Sequence, residues 1–191
     1  MKKIAIFLLA AAMMLSMMAG CSSSSSSGSN NPAQDAVEDV QETVSVALDD
    51  VVQAVKDAYG EDYIPSMEIP KEQLSDIYGL NLDNVEEVYA EGPMISAHVD
   101  TFIAIKAKEG KGEEVEKELK EYHDYVLENS LQYPSNEAKV NASQVVRYGD
   151  YVFYVMLGAF DETSTSEGEQ AQFAKDQAQK GLDAIESFFK K

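Results

Sequence analysis

Several residue types that often carry chemistry or hold small domains together are scarce in this sequence. It has no tryptophan, one cysteine (Cys21) and one arginine (Arg147) among its 191 residues. A single cysteine excludes an intrachain disulfide, so a hydrophobic core has to stabilise the fold. The absence of tryptophan removes the usual stacking platform for sugars, although ten tyrosines leave glycan binding open.

The common catalytic and cofactor motifs are also missing. There is no H-E-x-x-H, no G-x-S-x-G and no C-x-x-C pattern, and residues 110–112 lack the third glycine of a dinucleotide-binding loop. We therefore expect no catalytic residues, no bound cofactor and no metal site.

Basic residues are few: 15 Lys and Arg stand against 34 Asp and Glu, which gives a formal net charge of −19. Such a chain repels nucleic acid and anionic lipid, so we expect no nucleic-acid partner. The charge favours a solvated surface that keeps the protein soluble. The alternative is that the negative charge binds a cationic peptide or Ca²⁺. Residues 161–169 are rich in oxygen ligands but lack the spacing of a calcium loop, which favours a solvated loop there.

The sequence begins with the features of an export signal. Lys2 and Lys3 precede an apolar run at residues 4–18, which is followed by the letters AGC at residues 19–21. The run is shorter than the roughly 20 apolar residues that a permanent membrane helix needs. Small residues directly before the only cysteine predict a lipoprotein signal peptide, with cleavage before Cys21 and a diacylglycerol group on its thiol. An ordinary cleaved signal or a single membrane anchor is the alternative.

The predicted domain organisation follows from this signal. Residues 1–20 form the signal peptide, and residues 21–32 form a flexible serine-rich tether that starts at the lipidated cysteine. Residues 33–191 have the length of a single domain with its own core. We expect the N-terminal lipid to hold this domain at the extracytoplasmic face of the cell membrane, with a protein of the envelope as a candidate partner.

Helical periodicity marks three longer segments. From Asn31 an apolar residue recurs every three or four positions through Ala58, which predicts one long amphipathic helix. Its near-heptad stripe is compatible with a coiled-coil dimer, but packing within the chain is commoner, and the oligomeric state stays open. A second helix is predicted after Gly112, and a third after Ser166, which forms a capping box with Glu169.

Strand patterns complete the predicted fold. They occur at residues 85–91 and 101–108, and the clearest is a hairpin of residues 144–148 and 151–157 around the Gly-Asp pair at 149–150. The prolines and glycines of other segments predict loops at residues 60–70 and around Tyr133 and Pro134. This order of elements predicts an α+β fold with a four-stranded antiparallel sheet, two layers, and amphipathic helices packed mainly on one face.

Six residues are predicted to share the less apolar sheet face: His98, Asp100, Phe102, Arg147, Tyr154 and Met156. If that face is open it is an amphipathic recognition surface, and if the N-terminal helix covers it, it is a second core layer. His98 and Asp100 could orient a base or begin a metal site, but a hydrogen-bonded surface pair is favoured. Arg147 could clamp a carboxylate or phosphate, but an ion pair with an acidic side chain, for example Asp100, is favoured.

Two stretches of the sequence resemble a known family. They are GPMIS at residues 92–96 leading into VDTFIAIKAK at 99–108, and YP at 133–134 leading to SQVVRYGDYV at 143–152. Together with the lipoprotein leader, these stretches resemble the domain-of-unknown-function family 4358 of Gram-positive lipoproteins, over roughly residues 45 to 160. The resemblance implies a surface lipoprotein of a Gram-positive cell and carries no known activity or catalytic residues.

The sequence favours a non-catalytic binding or protein-interaction domain tethered to the membrane. A small-molecule or metal-binding envelope protein that uses His98, Asp100 and Arg147 is the alternative, and a hydrolase is the third hypothesis. A cavity with converging polar or titratable groups would distinguish these hypotheses.

Overall fold

The computed structural model describes residues 46–129, 131–161 and 163–190. In chain order, the helices and strands of these ranges are α1 (Leu48–Tyr59), β1 (Met67–Glu68), α2 (Lys71–Asp76), β2 (Val85–Gly92), β3 (Thr101–Ala107), α3 (Gly112–Asn129), α4 (Pro134–Ala142), β4 (Gln144–Tyr148), β5 (Tyr151–Met156) and α5 (Glu167–Glu186). The strands form one antiparallel sheet in the order β1-β2-β3-β5-β4. The predicted α+β class with an antiparallel sheet is confirmed.

The sheet has five strands, so the predicted number of four is wrong. The additional strand, β1, lies within the segment 60–70, where the sequence predicts a loop. It contains only Met67 and Glu68, both exposed, and Pro65 and Pro70 flank it closely. A strand of two exposed residues between prolines has neither the length nor the alternation that strand patterns detect.

The predicted hairpin is confirmed. Strands β4 and β5 pair with Tyr148 opposite Tyr151 and Val146 opposite Phe153. Gly149 has φ 61° in the turn between them. Glycine adopts that positive φ without steric cost, which is why the Gly-Asp pair marks the turn so clearly.

The sheet is covered on both faces. On one face Ile103 and Tyr154 pack against α2, α3 and α4, and on the other Phe102 and Phe153 pack against α1 and α5. The predicted two-layer arrangement with helices mainly on one face is therefore wrong, because a helix layer lies on each side. Strands β3 and β5 are apolar on both faces, so the pattern of their side chains does not indicate that only one face is buried.

The six residues predicted to form one sheet face lie on different surfaces. The register of β3 with β5 places Phe102 opposite Val155 and Ile103 opposite Tyr154, and residues opposite each other share a face. Phe102 therefore lies on the side of α1 and α5. The other side, which α2, α3 and α4 cover, carries Arg147, Tyr154 and Met156. The prediction is wrong because it assigned residues of different strands to one face by their apolar content. The pairing register between the strands determines which residues share a face.

Helix α1 packs within the chain rather than presenting an apolar seam. Val51 and Val55 are fully buried against the sheet. The Tyr59 hydroxyl donates to the Gln177 carbonyl (2.9 Å) and accepts from the Gly181 N–H (3.2 Å), which joins α1 to α5. A buried hydroxyl with two partners fixes the spacing of the two helices.

Part of the predicted N-terminal architecture lies outside the described residues. This applies to the signal peptide at residues 1–20, to the lipidated Cys21 and its tether, and to the part of the first helix predicted before residue 46. The prediction of one helix from Asn31 through Ala58 is wrong, because Ala47 has an extended backbone (ψ 125°) and α1 begins at Leu48. Among the helices of the described ranges, none is long and apolar enough to cross a lipid bilayer.

The start of α3 is built on the hairpin turn. The two carboxylate oxygens of Asp150 accept from the backbone N–H groups of Gly110 and Gly112, each at 3.0 Å. A Cβ at position 112 would lie 2.2 Å from the Gly149 carbonyl oxygen and 2.8 Å from the Asp150 Cα. Both neighbours are backbone atoms, so the turn would have to move to make room for a side chain.

We expect Gly112→Ala to lower the free energy of unfolding by about 1–3 kcal/mol, because the added methyl overpacks a backbone contact. Gly168→Ala in α5 is the matched control, since a Cβ there meets nothing within 4 Å. The control should be neutral or stabilise the protein by up to about 1 kcal/mol. Urea denaturation measures both values, and equal stability of the two variants would contradict the close contact.

Candidate functional site

A cavity of about 540 Å³ lies at one end of the sheet. It is half open to solvent and is bordered by α4, the first half of α5, the connection from β2 to β3 and the segment that follows β5. We call it the end cavity, and its lining includes Ala97, His98, Lys139, Phe160, Asp161 and Phe173. Cavities of a few hundred cubic ångströms are typical of small-molecule sites, so this is the candidate site of the domain.

A buried ion pair lies beside the end cavity. The Lys139 Nζ is 2.7 Å and 2.9 Å from the two carboxylate oxygens of Asp100. Asp100 is 0% exposed and Lys139 is 5% exposed. The Lys139 Nζ also lies 3.9 Å from the centre of the Phe160 ring, a cation–π contact. The pair joins the residue before β3 to the middle of α4, two elements that enclose the cavity.

Burial acts on both members of this ion pair. It raises the pKa of the Asp100 carboxyl and lowers the pKa of the Lys139 ammonium, because each charged form loses its hydration. The direct contact between the two charges opposes both shifts. Either charge would therefore be strongly disfavoured without its partner.

Helix α4 holds Lys139 in place, although the sequence predicts only a loop around Tyr133 and Pro134. Pro134 is the first residue of the helix, a position where the missing N–H has no cost. The Asn136 side chain donates to the Ala97 carbonyl (3.0 Å) and so attaches the helix start to the connection before β3. Tyr133 lies outside the helix as predicted, but the sequence does not reveal α4 itself, because its nine residues have no continuous apolar stripe.

Some polar atoms of the residues around the cavity lack hydrogen-bond partners. Within the described ranges these include His98 Nδ1 and Asp161 Oδ2, both on lining residues, and the nearby Asn136 Oδ1. Each of these atoms is buried, so it lies beneath the cavity wall and does not face the open space. The other oxygen of Asp161 accepts from the N–H groups of Thr163 (3.0 Å) and Ser164 (2.9 Å). Hydrogen bonds from the Ser164 side chain and from the N–H groups of Ser164 and Thr163 lower the pKa of Asp161 to about 2, so this carboxylate is ionised at neutral pH.

The predicted site residues are only partly brought together here. His98 lines the end cavity, and its Nδ1 is 3.8 Å from the buried Asp100 carboxylate. The other predicted face members do not line the end cavity: Asp100, Phe102, Arg147, Tyr154 and Met156. The Arg147 Nε lies 2.7 Å from Glu116 Oε2, so the ion-pair interpretation is confirmed, but the partner is Glu116 rather than Asp100.

Sequence patterns missed most of the cavity. Lys139 lies on α4, in a stretch for which the sequence predicts no element, and Asp161 lies in a segment predicted to be a solvated loop. Phe160 and Phe173 belong to different elements, with no spacing pattern that relates them. The proline at position 134 was the one available signal, because proline favours the first turn of a helix.

Outside the cavity, a Ser–His contact resembles the start of a catalytic pair. The His123 Nε2 is 3.0 Å from the Ser143 Oγ. That hydroxyl donates to the Val140 carbonyl (2.6 Å), so its oxygen accepts from the imidazole N–H. Ser143 is also buried, at 4% exposure. The contact therefore links α3 to the start of β4 and does not activate a nucleophile. Across the ranges 46–129, 131–161 and 163–190, no group of three His, Cys, Asp or Glu side chains could hold a metal ion.

We expect His123 to make stability fall as the pH drops. Burial lowers its pKa below the ordinary value of about 6.5, so the unfolded chain takes up the proton first. The stability that neutral His123 contributes is complete above the unfolded pKa and is lost as the pH falls towards the folded pKa. The change in unfolding free energy between pH 7.5 and 5.5 should be smaller in His123→Gln, and an unchanged difference would contradict this role.

We expect Lys139→Met to lower the free energy of unfolding by about 3–5 kcal/mol, because it leaves the Asp100 carboxylate buried without a counter-ion. The double variant Asp100→Asn with Lys139→Met should recover part of that loss, since it removes both charges. A double-mutant cycle by chemical denaturation measures the coupling. Additive effects would contradict an ion pair between the two side chains.

The comparisons with known proteins identify one family. A family model described as domain of unknown function (DUF4358) matches residues 59–157. Comparison with curated proteins and with solved structures found no match. The matched segment contains Asp100 and Lys139 but ends before Phe160, Asp161 and α5, which complete the end cavity. Because the match covers more than half of the chain, this protein belongs to the domain-of-unknown-function family DUF4358.

Proposed function

We propose that this protein is a membrane-tethered, extracytoplasmic binding domain that takes a small molecule into its end cavity and is not an enzyme. The observation that carries the proposal is the pocket of about 540 Å³, whose lining combines Phe160, Phe173 and small apolar side chains with the polar residues His98, Lys139 and Asp161. Apolar lining with a few polar groups is typical of ligand sites.

The wall of the cavity supports binding to a preformed site. The bidentate contact of Lys139 with Asp100, and the hydrogen bond from Asn136 to Ala97, fix α4 against the connection before β3. A site held in one geometry loses less conformational entropy when the ligand binds. Lys139 is held in its ion pair with Asp100, and this favours a binding role for the cavity over a catalytic one.

The location rests on the N-terminal sequence. The lysines at positions 2 and 3, the apolar run at 4–18 and the small residues before Cys21 support export and lipidation. In this proposal the lipid holds the domain at the outer face of the membrane, and residues 21–32 separate the two.

We expect the full-length chain, expressed in a Gram-positive host, to fractionate with membranes and to carry a diacylglycerol mass on Cys21. Cys21→Ser is the control, because it removes the thiol that accepts the lipid and leaves the apolar run intact. That variant should lose the lipid mass. A wild-type protein without the added mass would contradict the lipoprotein assignment.

A ligand screen on the full-length chain tests the cavity. We expect a compound among amines, amino acids, sugars and carboxylates to raise the melting temperature, because a ligand at 100 times Kd stabilises by about 2.7 kcal/mol. Ala138→Phe should abolish the shift by filling the cavity, since Ala138 is a lining residue. Ala58→Phe, at an exposed position of α1, is the control and should keep it. No shift with any compound, or equal shifts in both variants, would contradict the proposal.

A protein partner is the second candidate, and one observation favours it. Met94 and Ile95 are exposed, and so are Leu131 and Tyr133. The Asn136–Ala97 hydrogen bond joins the two segments that carry these apolar side chains. If this surface binds a protein, Met94→Ser with Ile95→Ser should weaken that complex and leave binding in the end cavity unchanged.

A further inference from the structure

Exposed apolar side chains are concentrated in a few segments of the domain. Eight large apolar residues are exposed in the described ranges, and six of these lie in three short segments: Met94 and Ile95, Tyr125 and Leu127, Leu131 and Tyr133. Leu131 is 101% exposed and Met94 is 70% exposed. Single exposed apolar residues are common on protein surfaces, whereas several in neighbouring segments mark an interaction site.

The segments 94–95 and 131–133 meet before the start of β3. The His98 N–H donates to the Ile95 carbonyl (3.2 Å), which folds the first segment into a turn. The Asn136 N–H donates to the Tyr133 carbonyl (2.8 Å), and the Asn136 side chain donates to the Ala97 carbonyl (3.0 Å). One asparagine therefore joins the two segments. We call the side chains that they expose the apolar end surface: Met94, Ile95, Leu131 and Tyr133.

Helix α3 brings Tyr125 and Leu127 to the same end of the sheet. The helix starts at the hairpin turn, where the Gly112 N–H donates to Asp150. Its second half reaches the opposite end of β4, because the His123 Nε2 lies 3.0 Å from the hydroxyl of the residue before that strand. Strands β3 and β4 both start beside the end of β5. The two turns after His123 therefore add exposed apolar area at the end that carries the apolar end surface.

The charge at this end is negative. The segments 92–99, 124–129, 131–138 and 157–161 contain no lysine or arginine and four acidic residues: Asp124, Glu128, Glu137 and Asp161. The next residue of α4, Lys139, is buried and held by Asp100, so it does not offset this charge at the surface. Apolar side chains among carboxylates are complementary to a partner that combines apolar and basic side chains.

The same charge argues against two other occupants. A second copy of the chain would place its own carboxylates against these, and the formal charge of −19 makes whole copies repel each other. An anionic lipid surface would be repelled for the same reason. Lysine and arginine side chains would instead be attracted before contact, because the field of the chain extends beyond its surface.

We propose that the apolar end surface binds a protein segment in which large apolar side chains are flanked by lysine or arginine. The apolar side chains cover the apolar end surface, and the basic ones lie near Glu128 and Glu137. This inference rests on the second candidate function, the protein-binding surface, and names the chemistry of its partner. It does not depend on a ligand in the end cavity.

Three synthetic peptides of equal length test the partner class on the full-length chain. One alternates pairs of leucine and lysine, the second has glutamate in place of lysine, and the third has serine in place of leucine. Isothermal titration measures the affinity of each. We expect the leucine–lysine peptide to bind at least about tenfold more tightly than either of the others, because it alone matches both features of the surface. Added salt should weaken its binding.

A matched pair of isoleucines tests the apolar contact. Ile95 and Ile77 are each 56% exposed. Ile77 lies elsewhere, because the next residue, Tyr78, packs on Tyr122 in the middle of α3. We expect Ile95→Ser to reduce the affinity for the leucine–lysine peptide at least about fivefold, and Ile77→Ser to leave it unchanged. The melting temperature of each variant reports whether it is folded.

Two double variants separate the local charge from the overall charge. Glu128→Gln with Glu137→Gln removes two exposed carboxylates at this end, and Glu72→Gln with Glu109→Gln removes two exposed carboxylates elsewhere. The first should reduce the affinity for the leucine–lysine peptide by about three- to tenfold, because it removes two attractive charges near the bound segment. The second should change the affinity less than about twofold, since screening weakens distant charges.

The outcomes distinguish the partner class from the protein-binding surface itself. Tightest binding of the leucine–lysine peptide, weakened by Ile95→Ser and not by Ile77→Ser, supports the inference. Preference for another peptide, weakened by Ile95→Ser, overturns the partner class and leaves the protein-binding surface standing. Equal loss in both isoleucine variants, or equal loss in both double variants, overturns the inference. Binding to phosphatidylcholine vesicles but to no peptide, or no binding at all, overturns the inference and the protein-binding surface together.

Discussion

The two central strands, β3 and β5, impose the constraint on which the rest of the domain depends. Phe102, Ile103, Phe153 and Tyr154 are each 0% exposed, and they alternate between the two faces of the sheet. A strand pair that is apolar on both sides has to be covered on both sides. Helices α2, α3 and α4 supply one cover, and α1 and α5 supply the other.

The end cavity is a consequence of these two layers. Helix α4 from one layer contacts α5 from the other through small side chains, Ala142 against Ala174 and Ala178. The sheet ends beneath this junction, and the segments before β3 and after β5 line the cavity, which stays partly open to solvent. Small residues at the junction let the helices approach, while the cavity beside them remains unfilled by the described side chains.

The Asp100–Lys139 pair determines how this end of the fold is arranged, more than it determines how stable the fold is. Burying two charges costs most of what their attraction returns, so the pair contributes little net stability. Apolar residues could fill the same volume in several packing arrangements. A lysine that is hydrogen-bonded to both oxygens of one carboxylate allows few arrangements. The pair thereby fixes the position of α4, on which the shape of the cavity depends.

Local features of the fold could be predicted from the sequence, and features that depend on distant contacts could not. The hairpin around Gly149 and the N-cap at Ser166 are correct because a few neighbouring residues decide them: Glu169 N–H donates to Ser166 Oγ at 3.3 Å, as the spacing predicts. The other half of the predicted capping box differs, since the Glu169 carboxylate accepts from the Ser166 hydroxyl (2.7 Å). The face of Phe102 depends instead on the register with β5, about fifty residues away.

The candidate site was still harder to predict. His98 and Asp100 could be recognised as polar residues before a strand, but their environment comes from Lys139 and Asp161, which lie far along the chain. Neither distant residue belongs to a motif, and only the closure of α4 and α5 over the sheet end brings them near. The ion pair of Arg147 with Glu116 was unpredictable for the same reason. It joins β4 to α3, and no local sequence pattern indicates which residues of these two elements meet.

The most direct test is a crystal structure of the protein grown with the compound that raises its melting temperature most. We expect that compound inside the end cavity, beside Phe160 and Phe173, with the Asp100–Lys139 pair intact. The same compound bound only elsewhere on the surface, or a cavity closed by its own side chains, would contradict the claim that this end of the sheet is a binding site.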